Sequence, residues 1–132
     1  MVNDTISDFI TRIRNAILVR HKIVQTPATK LTIAITKILK TEGFIEDFEI
    51  FETPKKNYLL IFLKYKDGGK KPSIKFLKRI SKPGRRIYVN NKNLPDTIGS
   101  FGIAIMSTSS GIMTDKKARV KNTGGEVLLY VY

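Results

Sequence analysis

Four hydroxyl side chains follow one another in the stretch STSSGIMTD, residues 107–115: Ser107, Thr108, Ser109 and Ser110. A hydroxyl both donates and accepts hydrogen bonds, so it can meet phosphate oxygens, the edges of nucleic-acid bases or ribose 2′-OH groups, whereas a lysine only donates. We expect this run to leave a buried strand, IAIM, and to enter a helix capped by Thr114, so that backbone N–H groups and the helix dipole face an anion. The alternative is an ordinary exposed loop, because serine is common in loops.

Cations near the hydroxyl run could attract phosphate groups: Lys116, Lys117, Arg119, Arg85 and Arg86. The whole chain of 132 residues has a formal net charge of +13 and a pI of about 10.1. Residues 73–132 carry +8 of this charge in less than half of the length, from 11 basic and 3 acidic residues. A polyanion is the expected partner, nucleic acid ahead of a membrane surface. The alternative is a basic protein that is merely soluble.

Three further features of the C-terminal half each allow a structural and a functional interpretation. Gly124 and Gly125 form either a tight turn or a place where another backbone approaches closely. Tyr88 either belongs to a core or stacks on a base. Glu126 either accepts hydrogen bonds from the hydroxyl run or from backbone N–H groups, or faces water at the start of a last strand.

The composition excludes several kinds of chemistry. The chain has no cysteine and a single histidine, His21, so disulfides and thiolate zinc sites are excluded. No phosphate-binding glycine loop, metalloprotease motif, nucleophile elbow or paired carboxylates occur. We therefore expect no enzyme activity, cofactor, metal or small-molecule substrate. No window has the roughly 20 apolar residues of a membrane span, and the acidic N-terminus MVNDTISDF lacks the basic segment of a signal peptide.

Hydrophobic periodicity predicts an α+β protein of two small subdomains. Residues 6–19 and 31–39 have helical spacing, with TPATK as a loop before the second helix and Gly43 as its left-handed stop. FIEDFEIFE and YLLIFLKYK read as strands around the turn PKKN, which gives the order helix, helix, strand, strand. DGGKKPS, residues 67–73, is the expected linker, and it divides the chain into an N-terminal subdomain, 1–70, and a C-terminal subdomain, 71–132.

The C-terminal subdomain is expected to be mostly β with short helices. Residues 74–80 and 86–89 read as strands around the turn SKPG, and LPDTIGSFG can hold a short helix. IAIM is the buried strand, and the helix that begins at Thr114 should end at Asn122 or Gly124. EVLLYVY closes the chain as a strand.

Five segments together resemble small-subunit ribosomal protein eight of the bacterial and organellar type: TRIRNA (11–16), LKTEGFIEDF (39–48), SKPGRRIY (81–88), GIAIMSTSSGIMTD (102–115) and GGEVLLYV (124–131). The resemblance implies an RNA-binding protein without enzymatic activity, which binds a stem in the central domain of small-subunit rRNA and helps to assemble that domain. Its expected partners are this rRNA and neighbouring small-subunit ribosomal proteins. The plentiful isoleucine, lysine and asparagine favour a plastid ribosome over one in a bacterial cytoplasm.

The resemblance also implies which residues contact RNA. They are the hydroxyl run (Ser107, Thr108, Ser109 and Ser110), the glycine segment (Gly124, Gly125 and Glu126), Tyr88 and, from the N-terminal half, Lys30; we add Arg86 for its charge. Two residues depart from the family pattern. Ser110 stands where many members have lysine, and Asn122 stands where many have glycine, although asparagine tolerates the left-handed conformation. The alternative function is a general architectural protein that binds DNA and RNA duplexes through charge.

Overall fold

The computed structural model describes residues 4–90 and 102–132, which contain three helices and ten strands. The elements are α1 (Thr5–Leu18), β1 (Ile23–Pro27), α2 (Lys30–Thr41), β2 (Ile45–Glu52), β3 (Asn57–Leu63), β4 (Tyr65–Lys66), β5 (Lys71–Pro72), β6 (Leu77–Arg79), β7 (Tyr88–Val89), β8 (Ile103–Thr108), β9 (Gly111–Thr114), α3 (Asp115–Val120) and β10 (Gly125–Val131). The predicted α+β class is confirmed. The predicted helix within LPDTIGSFG falls almost wholly outside the described residues.

The described residues form two compact units. Thr5–Lys75 make up the first, and Asp4 belongs with the residues from Phe76 onwards in the second. Each unit has its own sheet and its own buried side chains. The predicted boundary between residues 70 and 71 stays a prediction.

The first unit is a three-stranded antiparallel sheet, in the order β1-β3-β2, with α1 and α2 packed on it. The helices bury the apolar stripes that the sequence spacing predicts, which include Phe9 and Ile13 of α1 and Ile35 and Leu39 of α2. α2 begins at a capping box, because the Thr29 hydroxyl accepts the Thr32 N–H and the Thr32 hydroxyl accepts the Thr29 N–H. Beyond its end, Gly43 has a φ of 81°, as predicted.

The strand β1 was not predicted, and the order helix, helix, strand, strand is therefore wrong by one strand. The segment TPATK was expected to be a loop, but its first two residues end a strand that pairs with β3 from Ile23 opposite Phe62 to Pro27 opposite Tyr58. β1 is short and buries only Val24 and Thr26 completely, so its alternation is a weak signal. Proline at the last position of an edge strand is tolerated.

The expected linker is a β-hairpin of the first unit. Its turn holds Asp67, Gly68 and Gly69 in the left-handed region, with φ of 52°, 69° and 89°, and β4 pairs with β5 on either side. The N–H of Ser73 donates to the carbonyl of Lys64 at 2.9 Å and closes the hairpin. Glycine and proline mark a turn here, as they would in a linker, so composition alone does not separate the two.

The second unit is organised around β10. The sheet runs in the order β6-β10-β8-β9, and β7 also pairs with β10. One face packs on α3, where Ala118 lies in a buried cluster with Ala104, Met106, Met113 and Val127. As predicted, Thr114 caps α3, and Asn122 after its end has a φ of 52°.

Two strands of this unit are shorter than predicted. Residues 74–80 and 86–89 were expected to be strands, but pairing with β10 covers only Leu77–Arg79 and Tyr88–Val89. The predicted turn between them is confirmed, because Lys82 and Arg85 exchange backbone hydrogen bonds across Pro83 and Gly84.

Candidate nucleic-acid interface

The hydroxyl run is the end of a β-hairpin. Ser107 and Thr108 finish β8, Ser109 and Ser110 form the turn, and Gly111, with a φ of 111°, begins β9. The expected path from strand through loop to helix is therefore wrong, because β9 intervenes. At about 3.4 Å per residue, the four residues of β9 separate the turn from the start of α3 by roughly 14 Å.

The start of α3 is occupied by a carboxylate of the protein. Asp115 is 1% exposed, and its Oδ1 accepts the N–H of Ala104 at 3.1 Å. Its Oδ2 lies 3.7 Å from the Arg119 guanidinium. The predicted anion site at this helix N-terminus is therefore wrong, since Asp115 already places a negative charge there.

Inside the hairpin turn, the four hydroxyls have different surroundings. The Thr108 hydroxyl donates to the carbonyl of Gly111 at 2.9 Å and accepts the N–H of Ser110 at 3.1 Å. Thr108 thus stabilises the turn itself. Ser109 and Ser110 are exposed, and Ser107 is half-buried. The turn therefore exposes Ser109 and Ser110 on a backbone that the Thr108 hydroxyl stabilises.

Three of the predicted residues form a row across the sheet. Glu126 of β10 is paired with Tyr88 of β7 on one side and with Ser107 of β8 on the other. Directly paired residues of antiparallel strands place their side chains on the same face, about 5 Å apart. Tyr88 is 69% exposed, so the interpretation of Tyr88 as a core residue is wrong. The row offers a solvent-facing ring, a carboxylate and a hydroxyl.

Glu126 pairs with an arginine. Its side chain is only 12% exposed, and Nη1 of Arg86 donates to its Oε2 at 3.0 Å. The two uses expected for Glu126, holding the hydroxyl run and facing water, are both replaced by this ion pair. The hydrogen bond from Arg86 to Glu126 raises the pKa of the Arg86 guanidinium above its ordinary value. Sequence reasoning missed the pair because the two residues are 40 positions apart.

Arg79 lies near this pair and is more deeply placed. Its guanidinium forms an ion pair with Asp4, and its Nε donates to the Ser81 carbonyl. Burial first, and the nearby charge of Arg86 second, lower the pKa of Arg79, while Glu126 raises it. Glu126 therefore balances two guanidinium groups.

Gly124 and Gly125 allow close packing of the protein's own strands. A Cβ atom on Gly124 would lie 2.4 Å from the carbonyl oxygen of Val89, and one on Gly125 would lie 2.2 Å from that of Ser107. Of the two interpretations of this segment, close backbone approach fits, and the approaching backbones are those that flank β10 within this unit. These glycines thus bring Tyr88 and Ser107 beside Glu126.

The structure brings together Arg86, Tyr88, Ser107 and Glu126, with Ser109 and Ser110 at the end of the strand that carries Ser107. Lys30 is the exposed first residue of α2 in the other unit. Across residues 4–90 and 102–132, no group of three His, Asp or Glu side chains could hold a metal ion. No helix in the same residues is long and apolar enough to cross a membrane.

Comparison with known proteins places the chain in a family. The family model of ribosomal protein S8 matches residues 4–132. Small ribosomal subunit protein uS8 of Trichodesmium erythraeum is 57% identical over 130 residues, which cover 98% of each chain. Protein uS8c of Phaeodactylum tricornutum and that of Cyanophora paradoxa are each 56% identical over 132 residues, the full length of both chains. This chain therefore belongs to the ribosomal protein S8 family.

Proposed function

We propose that this chain is a structural constituent of the small ribosomal subunit, and that it binds small-subunit rRNA directly. The main observation in support of RNA binding is the row of Tyr88, Glu126 and Ser107 beside Arg86. The names of the relatives, which are small ribosomal subunit proteins, support the ribosomal role. The role is structural rather than enzymatic.

The proposed mechanism is positioning. Basic side chains attract the phosphates, and this attraction carries no sequence information. The exposed ring of Tyr88 offers a surface on which a base can stack. The hydroxyls of Ser109 and Ser110 form hydrogen bonds with polar groups of the RNA and so recognise its shape. The RNA is a stem in the central domain of small-subunit rRNA, which the protein helps to assemble next to neighbouring small-subunit proteins. Lys30 is a separate contact from the first unit.

The competing function is a general architectural protein that binds any duplex through its charge. Competition between an irregular rRNA stem and a plain duplex of equal length distinguishes the two functions. We expect the stem to bind at least about a hundredfold more tightly at physiological salt, which is the low end for specific over non-specific binding. Equal competition would establish the architectural function instead.

The proposed location is the ribosome, and within that a plastid ribosome. The content of isoleucine, lysine and asparagine supports a plastid genome, and relatives named uS8c match over their full length. Cyanobacterial relatives match at similar identity. Identifying the genome that encodes the chain, plastid or bacterial, is therefore the test of this location.

A further inference from the structure

We propose that the tight turn formed by Lys82, Pro83, Gly84 and Arg85, here called the cationic turn, is a second phosphate-binding site for RNA. It is separate from the row of Tyr88, Glu126 and Ser107 and from the hydroxyl run. The inference rests on the proposed function, because it takes RNA as the ligand.

The cationic turn holds two positive side chains next to each other. The N–H of Lys82 donates to the carbonyl of Arg85 at 3.0 Å, and the N–H of Arg85 donates to the carbonyl of Lys82 at 2.9 Å. Such a reciprocal pair places two Cα atoms about 5.5 Å apart with both side chains on the same face. Both residues are exposed. The turn therefore presents two cations side by side.

Like charges directly opposite each other destabilise an antiparallel pair. Among the residues that the structure describes, no carboxylate forms an ion pair with either cation of the turn. In the same unit, Asp4 pairs with Arg79 and Glu126 pairs with Arg86. An anion from outside the protein would relieve this repulsion.

The turn is held in place by hydrogen bonds at its base. The Ser81 hydroxyl, which belongs to a 2% exposed residue, accepts the N–H of Ile87 at 2.9 Å. The N–H of Ser81 donates to the carbonyl of Val127 in β10 at 3.1 Å, and the carbonyl of Ser81 accepts from Arg79. The backbone that carries the two cations is thus fixed before a ligand binds, which reduces the ordering cost of binding.

The position of the turn favours RNA phosphate over an acidic protein segment. The chain leaves Arg85 and reaches the exposed Tyr88 three residues later, about 10 Å away in an extended strand. A stem that rests on the row at Tyr88 would therefore have backbone phosphates within reach of the turn. The turn therefore adjoins the row in the chain without sharing a residue with it.

The test is the salt dependence of RNA binding by the full chain carrying Lys82→Ala and Arg85→Ala together. For every phosphate that a side chain no longer neutralises, the slope of log affinity against log salt should fall by about 0.7 to 0.9. The double variant should bind the rRNA stem roughly tenfold more weakly at about 0.1 M salt. The melting temperature at low salt should be equal to that of the parent or higher, because the repulsion is removed.

The matched control carries Lys55→Ala and Lys56→Ala, at the exposed turn between β2 and β3, where Thr53 and Lys56 also exchange hydrogen bonds. It loses the same charge and should keep the parental slope. An unchanged slope in the double variant, or an equal change in the control, would overturn the proposal. Binding of the same variants to polyglutamate, a model of an acidic protein segment, is measured as well. The proposal would also be overturned if the double variant lost binding to polyglutamate but kept its binding to RNA, since the ligand would then be an acidic protein segment.

The same measurements on a plain duplex separate this proposal from the proposed function. Preference of the parent chain for the stem over the duplex reports the proposed function alone. The difference in salt slope between the double variant and the control reports phosphate binding by the cationic turn, whether the RNA is the stem or the plain duplex. One of the two can therefore fail while the other holds.

Discussion

Nη1 of Arg86 lies 3.0 Å from Oε2 of Glu126, at the centre of the surface that we propose to bind RNA. A carboxylate at such a surface opposes attraction to phosphate. The Glu126 carboxylate, itself little exposed, offsets positive charge on the exposed Arg86 and on the half-buried Arg79. We therefore expect Glu126 to limit how much Arg86 contributes to non-specific attraction of phosphate.

The first prediction follows from this balance. Glu126→Gln should free the charge of Arg86, so binding to a plain duplex should strengthen severalfold and its salt slope should steepen by about 0.7 to 0.9. Binding to the rRNA stem should not strengthen, because Arg86 loses the partner that orients it. Competition between the two RNAs should therefore show a lower preference for the stem. An unchanged preference would contradict this account of Glu126.

The second prediction concerns the exposed turn of the hydroxyl run. Ser109→Ala should weaken binding to the rRNA stem by about 1 to 2 kcal/mol, because one hydrogen bond is lost. The salt slope should stay the same, since no ion pair is lost. Arg86→Ala is the contrasting variant, and it should reduce the slope. If Ser109→Ala binds and melts like the parent, the turn is not part of the interface.

The third prediction separates Thr108 from its neighbours. Thr108→Val keeps the shape of the side chain but removes the two hydrogen bonds of the turn, so the free energy of unfolding should fall by about 1 to 2 kcal/mol. Thermal melting measures this loss. Ser109→Ala should melt normally, which makes it the matched control. A normal melt for Thr108→Val would mean that the turn does not need the hydroxyl.

The fourth prediction concerns the glycine that brings β8 against β10. Gly125→Ala should destabilise the protein by about 3 kcal/mol, because the added Cβ would overlap the carbonyl oxygen of Ser107. Gly84→Ala is the control, since nothing lies within 4 Å of a Cβ there, and its effect should stay within about 0.5 kcal/mol. Chemical denaturation measures both values. Equal effects would show that the close approach at Gly125 is not limiting.

The fifth prediction concerns acid stability. Hydrogen bonds from Lys40 first, and from the N–H of Phe48 second, lower the pKa of Asp47 below its ordinary value of 3.8. A carboxyl group with a lowered pKa in the folded state stabilises that state above its unfolded pKa, and the contribution is lost as the pH falls. Asp47→Asn should therefore lower the melting temperature at neutral pH. The difference from the parent should shrink from about pH 5 downwards. A difference that is constant with pH would contradict the role of the charge.

Long elements with strong periodicity were predictable from the sequence. The apolar stripes of α1 and α2 and the left-handed positions at Gly43 and Asn122 occur where expected, because each depends on residues that are neighbours along the chain. β1 was missed because its pairing with β3, rather than its own composition, makes it a strand. The hairpin of the hydroxyl run had one signal in the sequence, Gly111, but four consecutive hydroxyls read as a loop.

The chemical state of the candidate site was less predictable than its location. Tyr88, Ser107 and Glu126 were each identified, yet their order in one row depends on the register of three strands. The Arg86–Glu126 pair joins residues that are 40 positions apart, and no local pattern encodes it. For the same reason, the sequence indicated that another backbone could approach Gly125 closely, but it did not indicate which backbone.

The central position of β10 also has a consequence for the timing of folding during synthesis. β6, β7 and β8 all pair with a strand that follows them in the chain, so each emerges from the translating ribosome before its partner does. The first unit contains its three paired strands within Thr5–Lys75 and can form earlier. The row of Tyr88, Glu126 and Ser107 can form only when β10 pairs with β7 and β8, which places Glu126 between the other two. A nascent chain that stalls before β10 therefore lacks the row that we propose to bind RNA.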